Sequence, residues 1–227
     1  MIQLGYNKIT EKPIKVDIFA TGQLCCVGGT GSGKSIFILY LLYNMLRYVK
    51  KENCKMELFI CDFKKSGDFK GIAKNYAEFE KTKENSATIK ILLIDEYAGY
   101  IIWLTQNDNR KAKVIKEKIS NVLMMGRSRH CFVWCVQQRI SASLFPTGIG
   151  AIDNFQICIG MGRLSVESRK SLFSGEHLED REYEERYHPK TGQGLILIDG
   201  QEIQPIQIPF ISDKERLKKL LQEMAKR

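Results

Sequence analysis

Strand-like apolar runs recur along the chain at Gln23–Val27, Met56–Cys61, Ile89–Ile94, Cys131–Val136, Gln156–Met161 and Gly194–Ile198. Helix-like stretches fall between most of them. Ser35–Lys50 is rich in Ile, Leu, Tyr and Met. Lys113–Met125 brings Val114, Ile115, Ile119, Val122 and Leu123 close to i, i+4, i+8 spacing. Strands alternating with helices predict an α/β fold with a mainly parallel central sheet flanked by helices. The tail predicts an amphipathic helix over about 213–226, with Ser212 and Asp213 placed to cap it. Its stripe of Leu217, Leu220, Leu221 and Met224 is expected to dock on the body of the domain. There is no internal repeat and no low-complexity linker, so residues 1–227 are expected to form one domain.

Composition narrows this picture only slightly. Hydrophobic residues at 44% and charged residues at 27% are ordinary for a globular protein. No apolar run reaches the roughly 18–20 residues that span a bilayer. Met1–Tyr6 also lacks the charged-then-apolar layout of a signal peptide, so the expected location is the cytoplasm. The seven cysteines form no C-x-x-C pair, and with three scattered histidines they offer no zinc spacing. They are expected to be reduced thiols. The net charge of +9 favours a polyanionic partner, whether nucleic acid, a membrane surface or an acidic protein.

The clearest chemistry lies in Gly28-Gly29-Thr30-Gly31-Ser32-Gly33-Lys34-Ser35, a full match to G-x-x-x-x-G-K-[ST]. An apolar run, Leu24–Val27, leads into it and a predicted helix leaves it. Glycines let successive backbone N–H groups converge on phosphate oxygens, and the helix N-terminus adds its positive end. Lys34 is expected to reach the β- and γ-phosphates of ATP, and the Ser35 hydroxyl to hold Mg²⁺. Farther on, Ile91-Leu92-Leu93-Ile94-Asp95-Glu96 is an apolar strand ending in two carboxylates. Beside a phosphate loop, Asp95 is expected to complete the Mg²⁺ shell and Glu96 to polarise the attacking water. A nucleotide kinase need not activate water, and the Asn-Lys-x-Asp of signalling GTPases is absent. The expectation is therefore an ATPase that turns hydrolysis into motion.

The stretch Gly126-Arg127-Ser128-Arg129-His130-Cys131-Phe132-Val133-Trp134-Cys135-Val136-Gln137-Gln138-Arg139 resembles a segment of FtsK/SpoIIIE motors, in which Gly-Arg precedes a strand ending in Gln-Arg. Conjugative coupling ATPases of the same HerA/FtsK superfamily are similar in this spacing. Ile14–Ile18, Ile60–Lys64 and Leu93–Ala98 resemble other family segments. So do Asn154-Phe155 with the turn at Glu167-Ser168-Arg169, and the closing strands within Gly192–Ile211. Phe63 and Ile140 stand where the family carries proline. The resemblance implies a RecA-like P-loop NTPase core whose sensor strand lies between the P-loop and Asp95 strands. It also implies that Gln138 senses the γ-phosphate and that Arg127 is a finger offered to a neighbouring subunit. Should Arg127 not be the finger, Arg163 or Arg169 is the next to test.

The partners implied are double-stranded DNA and copies of the same chain in a ring, a hexamer by resemblance. A relaxase, a capsid or a secretion component would complete the machine in conjugative transfer or DNA packaging. FtsK-like domains also power protein export, and a slowly hydrolysing, ATP-gated assembly module is a third reading. Two polar segments, Thr105–Lys113 and Ser141–Gly150, are expected as loops able to face a channel, and Glu176–Lys190 as a solvated excursion.

Overall fold

The computed structural model describes residues 1–63, 88–146, 151–173 and 189–225. Among the described residues nine strands form one sheet: β1 (Ile2–Asn7), β2 (Pro13–Val16), β3 (Leu24–Gly28), β4 (Lys55–Asp62), β5 (Thr88–Asp95), β6 (Cys131–Gln137), β7 (Ile157–Met161), β8 (Gln193–Ile198) and β9 (Gln204–Gln207). Their spatial order is β2-β1-β9-β8-β7-β3-β6-β5-β4. The five from β7 to β4 are parallel to one another. The remaining pairings, β7 to β8 and onward to β2, are antiparallel. The sheet is therefore parallel only in the half that carries the phosphate loop, which corrects the expectation of a mainly parallel one.

In the parallel half both faces of the strands are covered, and successive residues go to opposite cores. Leu24, Cys26, Leu93, Trp134 and Ile159 pack with α1 (Lys34–Lys51) and with Leu221 of the C-terminal helix. Cys25, Val27, Leu92, Val133 and Cys158 face the other way. There they meet α2 (Tyr97–Asn107), α3 (Asn109–Met125) and α4 (Val166–Leu172). This two-sided burial is why these strands read as continuous apolar runs rather than alternating ones. The segment Glu167-Ser168-Arg169, expected as a turn, lies inside α4, which Ser165 caps through its hydroxyl. The tail helix α5 (Lys214–Ala225) is capped by Asp213, which accepts from the Arg216 N–H at 2.8 Å. Its apolar stripe is split: Leu217 and Leu221 pack on the core, while Leu220 is 40% exposed.

The polar segment Thr105–Lys113 is not a loop. It is the junction of two helices, pivoting on Asp108, whose side chain accepts from the Lys111 N–H at 3.0 Å and starts α3. Of Ser141–Gly150, residues 147–150 lie outside the described ones. Its first part is held down, with Leu144 and Phe145 buried and the Tyr97 hydroxyl donating to the Leu144 carbonyl at 3.0 Å. Most of Glu176–Lys190 also lies outside the described residues. No helix among the described residues is long and apolar enough to cross a membrane.

All seven cysteines are free. Burial pushes the Cys26 thiol up to about 12 and lifts Cys25 well above the ordinary range, so both stay protonated within the parallel strand β3.

Candidate active site

Strand register brings the chemistry together. Across the parallel strands, Gly28 pairs with Met161, Val27 with Gln137, Val136 with Asp95, and Asp95 with Asp62. The ends of β3, β6 and β5 are thus neighbours at one edge of the sheet. Residues 29–33 of the phosphate loop, Gln138 and the Asp95-Glu96 pair all leave from that edge.

The loop turns through Gly31 and Gly33, at φ 78° and 102°, a region open to glycine at little cost. A Cβ on Gly33 would also lie 2.9 Å from the Gly192 nitrogen, so no side chain fits there. Lys34 and Ser35 open α1, whose first turn holds no acidic residue to offset the helix dipole. The Lys34 ammonium donates to the carbonyls of Gly28 and Gly29, the latter at 2.9 Å. The Ser32 hydroxyl is shut away from solvent with no hydrogen-bond partner, as a residue waiting on an anion would be. These features fit a phosphate group. Among the described residues no cluster of three or more His, Cys, Asp or Glu could hold a metal by itself. Ser35 and Asp95 are the oxygen donors here that could hold a cation such as Mg²⁺ together with phosphate oxygens.

Glu96 is buried, 8% exposed, and sits at φ 64° and ψ 51°, a strained conformation for a residue with a Cβ. Its N–H donates to Val136 O at 2.7 Å, and α2 starts at the next residue. Strand pairing before it and helix after it hold the strain. Gln138 touches both sides of the site. Its backbone N–H donates to Glu96 Oε1 at 3.4 Å, and its Nε2 donates to Thr30 Oγ1 at 3.3 Å.

Arg127 is not part of this cluster. It lies in a tight turn, Arg127–Arg129, before the first residue of β6, whereas Gln138 follows the last. Seven strand residues at about 3.3 Å each put about 20 Å between the two ends. The turn is built to be rigid. Gly126 accepts from the N–H groups of Arg129 and Cys131 at 3.0 and 2.9 Å. Buried Gln23 donates to Val122 O and Cys131 O at 3.1 and 3.3 Å and accepts from the Val133 N–H at 2.7 Å. A Cβ on Gly126 would meet Cys131 O at 2.2 Å and Val122 O at 2.4 Å, both of them backbone atoms. Gly126→Ala is therefore expected to destabilise the fold by about 1–3 kcal/mol. It should lower Tm by several degrees in a calorimetric scan, whereas Arg127→Ala, exposed in the same turn, leaves Tm in place. Of the other arginines considered from the sequence, Arg163 is exposed, but Arg169 is buried at 3% exposure and cannot be offered to a neighbour.

The sequence reading missed one side of the loop. Thr191 Oγ1 donates to Gly31 O at 3.2 Å, and the Gly192 N–H donates to Ser32 O at 3.0 Å. The turn leading into β8 therefore braces the phosphate loop from the side away from Glu96. A Cβ on Gly162 would lie 2.9 Å from the Ser32 Cβ. The only signal of this brace in the sequence is the glycine density of Thr191-Gly192-Gln193-Gly194.

No family model matches this chain, and no curated protein matches it in sequence. Solved structures do share its fold. The cytoplasmic domain of the Thermomonospora curvata type VII secretion ATPase EccC superposes with a TM-score of 0.69 at 14% identity. That match covers 99% of this chain and 31% of the EccC chain, so this chain spans about a third of that cytoplasmic domain. The pCW3 conjugation coupling protein TcpA, solved as a monomer with ATPγS, gives 0.70 at 18% identity over 97% of this chain and 69% of its own. VirB4 of Thermoanaerobacter pseudethanolicus gives 0.61 at 10% identity, covering 95% and 98%. The chain thus has a mixed α/β fold with a partly parallel core sheet of the P-loop NTPase kind, and several ATPases share it.

Proposed function

We propose that this chain is a RecA-like motor domain that hydrolyses ATP with Mg²⁺ and acts as a ring of identical subunits in a transport machine. The observation that carries the reading is the convergence of Gly28–Ser35, Asp95-Glu96 and Gln138 at the ends of three adjacent strands. Gly28–Gly33 and Lys34 would cradle the triphosphate, with Ser35 and Asp95 holding Mg²⁺. The ion would neutralise charge on the phosphate oxygens. Glu96 takes the proton of the water whose oxygen bonds to the γ-phosphorus. The bond to the bridging oxygen breaks, and ADP leaves with that electron pair. Arg127 would serve the site of a neighbouring subunit.

Polypeptide export is the favoured use of this turnover. Fold likeness over 99% of the chain to EccC, a type VII secretion ATPase, supports that choice. A specific observation also keeps double-stranded DNA as a second cargo. Residues 109–129 carry seven Lys or Arg against one acidic residue. Arg110, Lys111 and Lys113 crowd the exposed first turn of α3, where the helix dipole disfavours cations.

ATP turnover by the assembled protein, with and without long linear duplex DNA at low salt, separates the two. Export predicts the same rate in both. Stimulation by DNA that fades steeply with added salt, as counterion release requires, would replace the first cargo with the second.

A further inference from the structure

We propose that Thr30 is a positioning residue that fixes the Gln138 carboxamide for hydrolysis, an inference that rests on the ATPase reading above. Three strand ends supply the parts. Thr30 follows β3, Gln138 follows β6 and Glu96 follows β5, and β6 lies between the other two. Gln138 is the link. Its main-chain N–H holds Glu96 Oε1 at 3.4 Å, while its side-chain Nε2 reaches Thr30 Oγ1 at 3.3 Å. A carboxamide anchored through its nitrogen presents its oxygen as an acceptor. One residue thereby ties the water-polarising carboxylate to the phosphate loop and offers a second acceptor beside it.

The place of Thr30 along the loop matters. The Lys34 ammonium rests on the carbonyls of Gly28 and Gly29, and a lysine in this motif reaches the β- and γ-phosphates. Thr30 is the next residue of that loop, and its hydroxyl is the group that meets the Gln138 carboxamide. The backbone behind Gln138 is fixed as well. Gln137 is fully buried, and its Nε2 faces Cys25 Sγ at 3.6 Å, inside the sheet. With the main chain pinned, the freedom left lies in the side-chain torsions of Gln138, and the bond to the Thr30 hydroxyl restrains them. Thr30 itself transfers no proton and need not touch the substrate.

The test compares Thr30→Val, which keeps the shape and loses the hydroxyl, with Thr30→Ser, which keeps the hydroxyl. Three quantities are read on the full chain: kcat for ATP, affinity for a fluorescent non-hydrolysable ATP analogue, and the side-chain amide resonance of Gln138 without nucleotide. Thr30→Val should lower kcat about 10- to 100-fold, since misplacing a catalytic group by about 1 Å costs that much. Its analogue affinity should stay within about twofold of the parent. The Gln138 resonance should shift, and Thr30→Ser should restore both kcat and the resonance. Parental kcat in Thr30→Val, or a serine variant as slow as the valine one, overturns the inference and leaves the ATPase reading standing. Affinity falling in parallel with kcat also overturns it, because Thr30 would then be a binding residue. A parental chain that turns over no ATP when assembled overturns the reading and this inference with it.

Discussion

Glu96→Gln should bind ATP as tightly as the parent and release almost no phosphate. Glutamine keeps the length of the side chain, and its carbonyl oxygen can still accept from the Gln138 N–H. The strained backbone at φ 64° is held by Val136 O and by the start of α2, neither of which depends on the carboxylate. What disappears is the group that takes a proton from water, a contribution of about 10²–10⁴ in rate. A nucleotide-induced rise in Tm should therefore persist in the variant, because ligand binding to the folded state stabilises it by mass action. Lys34→Ala should behave in the opposite sense and lose that rise together with turnover. Phosphate release measured beside a thermal melt in ATP and Mg²⁺ distinguishes the two. Parental turnover by Glu96→Gln would remove Glu96 from the water-activating role.

The contrast between these variants reflects what the sequence discloses and what it hides. Gly28–Ser35 is legible because eight consecutive residues determine one local geometry, and Asp95-Glu96 because both end one apolar run. The bond between Thr30 and Gln138 joins residues 108 positions apart. It exists only because β6 is threaded between β3 and β5, an order that the family resemblance implies but that local patterns do not encode. The corner at Asp108 looked like a loop because Ala112 is the one apolar residue between Thr105 and Lys113. A helical end whose surface is mostly wet shows too few apolar positions to reveal its period. At the other edge of the sheet, Ile2-Gln3-Leu4 begins a fair alternation, but the register shifts between Gln3 and Gly5. β9 is only Gln204-Pro205-Ile206-Gln207, a proline and one apolar residue between two glutamines, so it too lacks a strand signature.

Arg127→Ala subunits should bind ATP normally yet barely hydrolyse it, and should recover activity when mixed with Lys34→Ala subunits. The reasoning starts from the sheet. Arg127 precedes β6 at the edge opposite the phosphate loop, about 20 Å from Gln138 along the strand. A fully extended arginine is far too short to return to its own γ-phosphate, so any contribution to hydrolysis must go to another subunit. Gly126, Gln23 and the Cys131 N–H hold the turn rigidly, which is what a residue acting at a distance from its own core requires. An arginine supplied to the charge that builds on a transferring phosphoryl group is worth about 10³–10⁵ in rate, so the single variant should lose most of its turnover. A Lys34→Ala subunit lacks a working phosphate loop but keeps its arginine. Where it sits beside an Arg127→Ala subunit in the right order, one intact site faces one intact arginine, and only mixed interfaces supply that pairing. Turnover should therefore peak at intermediate mixing ratios and vanish at both ends. Mixtures as inactive as either parent variant, with co-assembly verified by native mass spectrometry, would mean that Arg127 is not the group acting in trans. Arg129, exposed in the same turn, and Arg163 would then be the residues to exchange, since Arg169 lies on the buried face of α4.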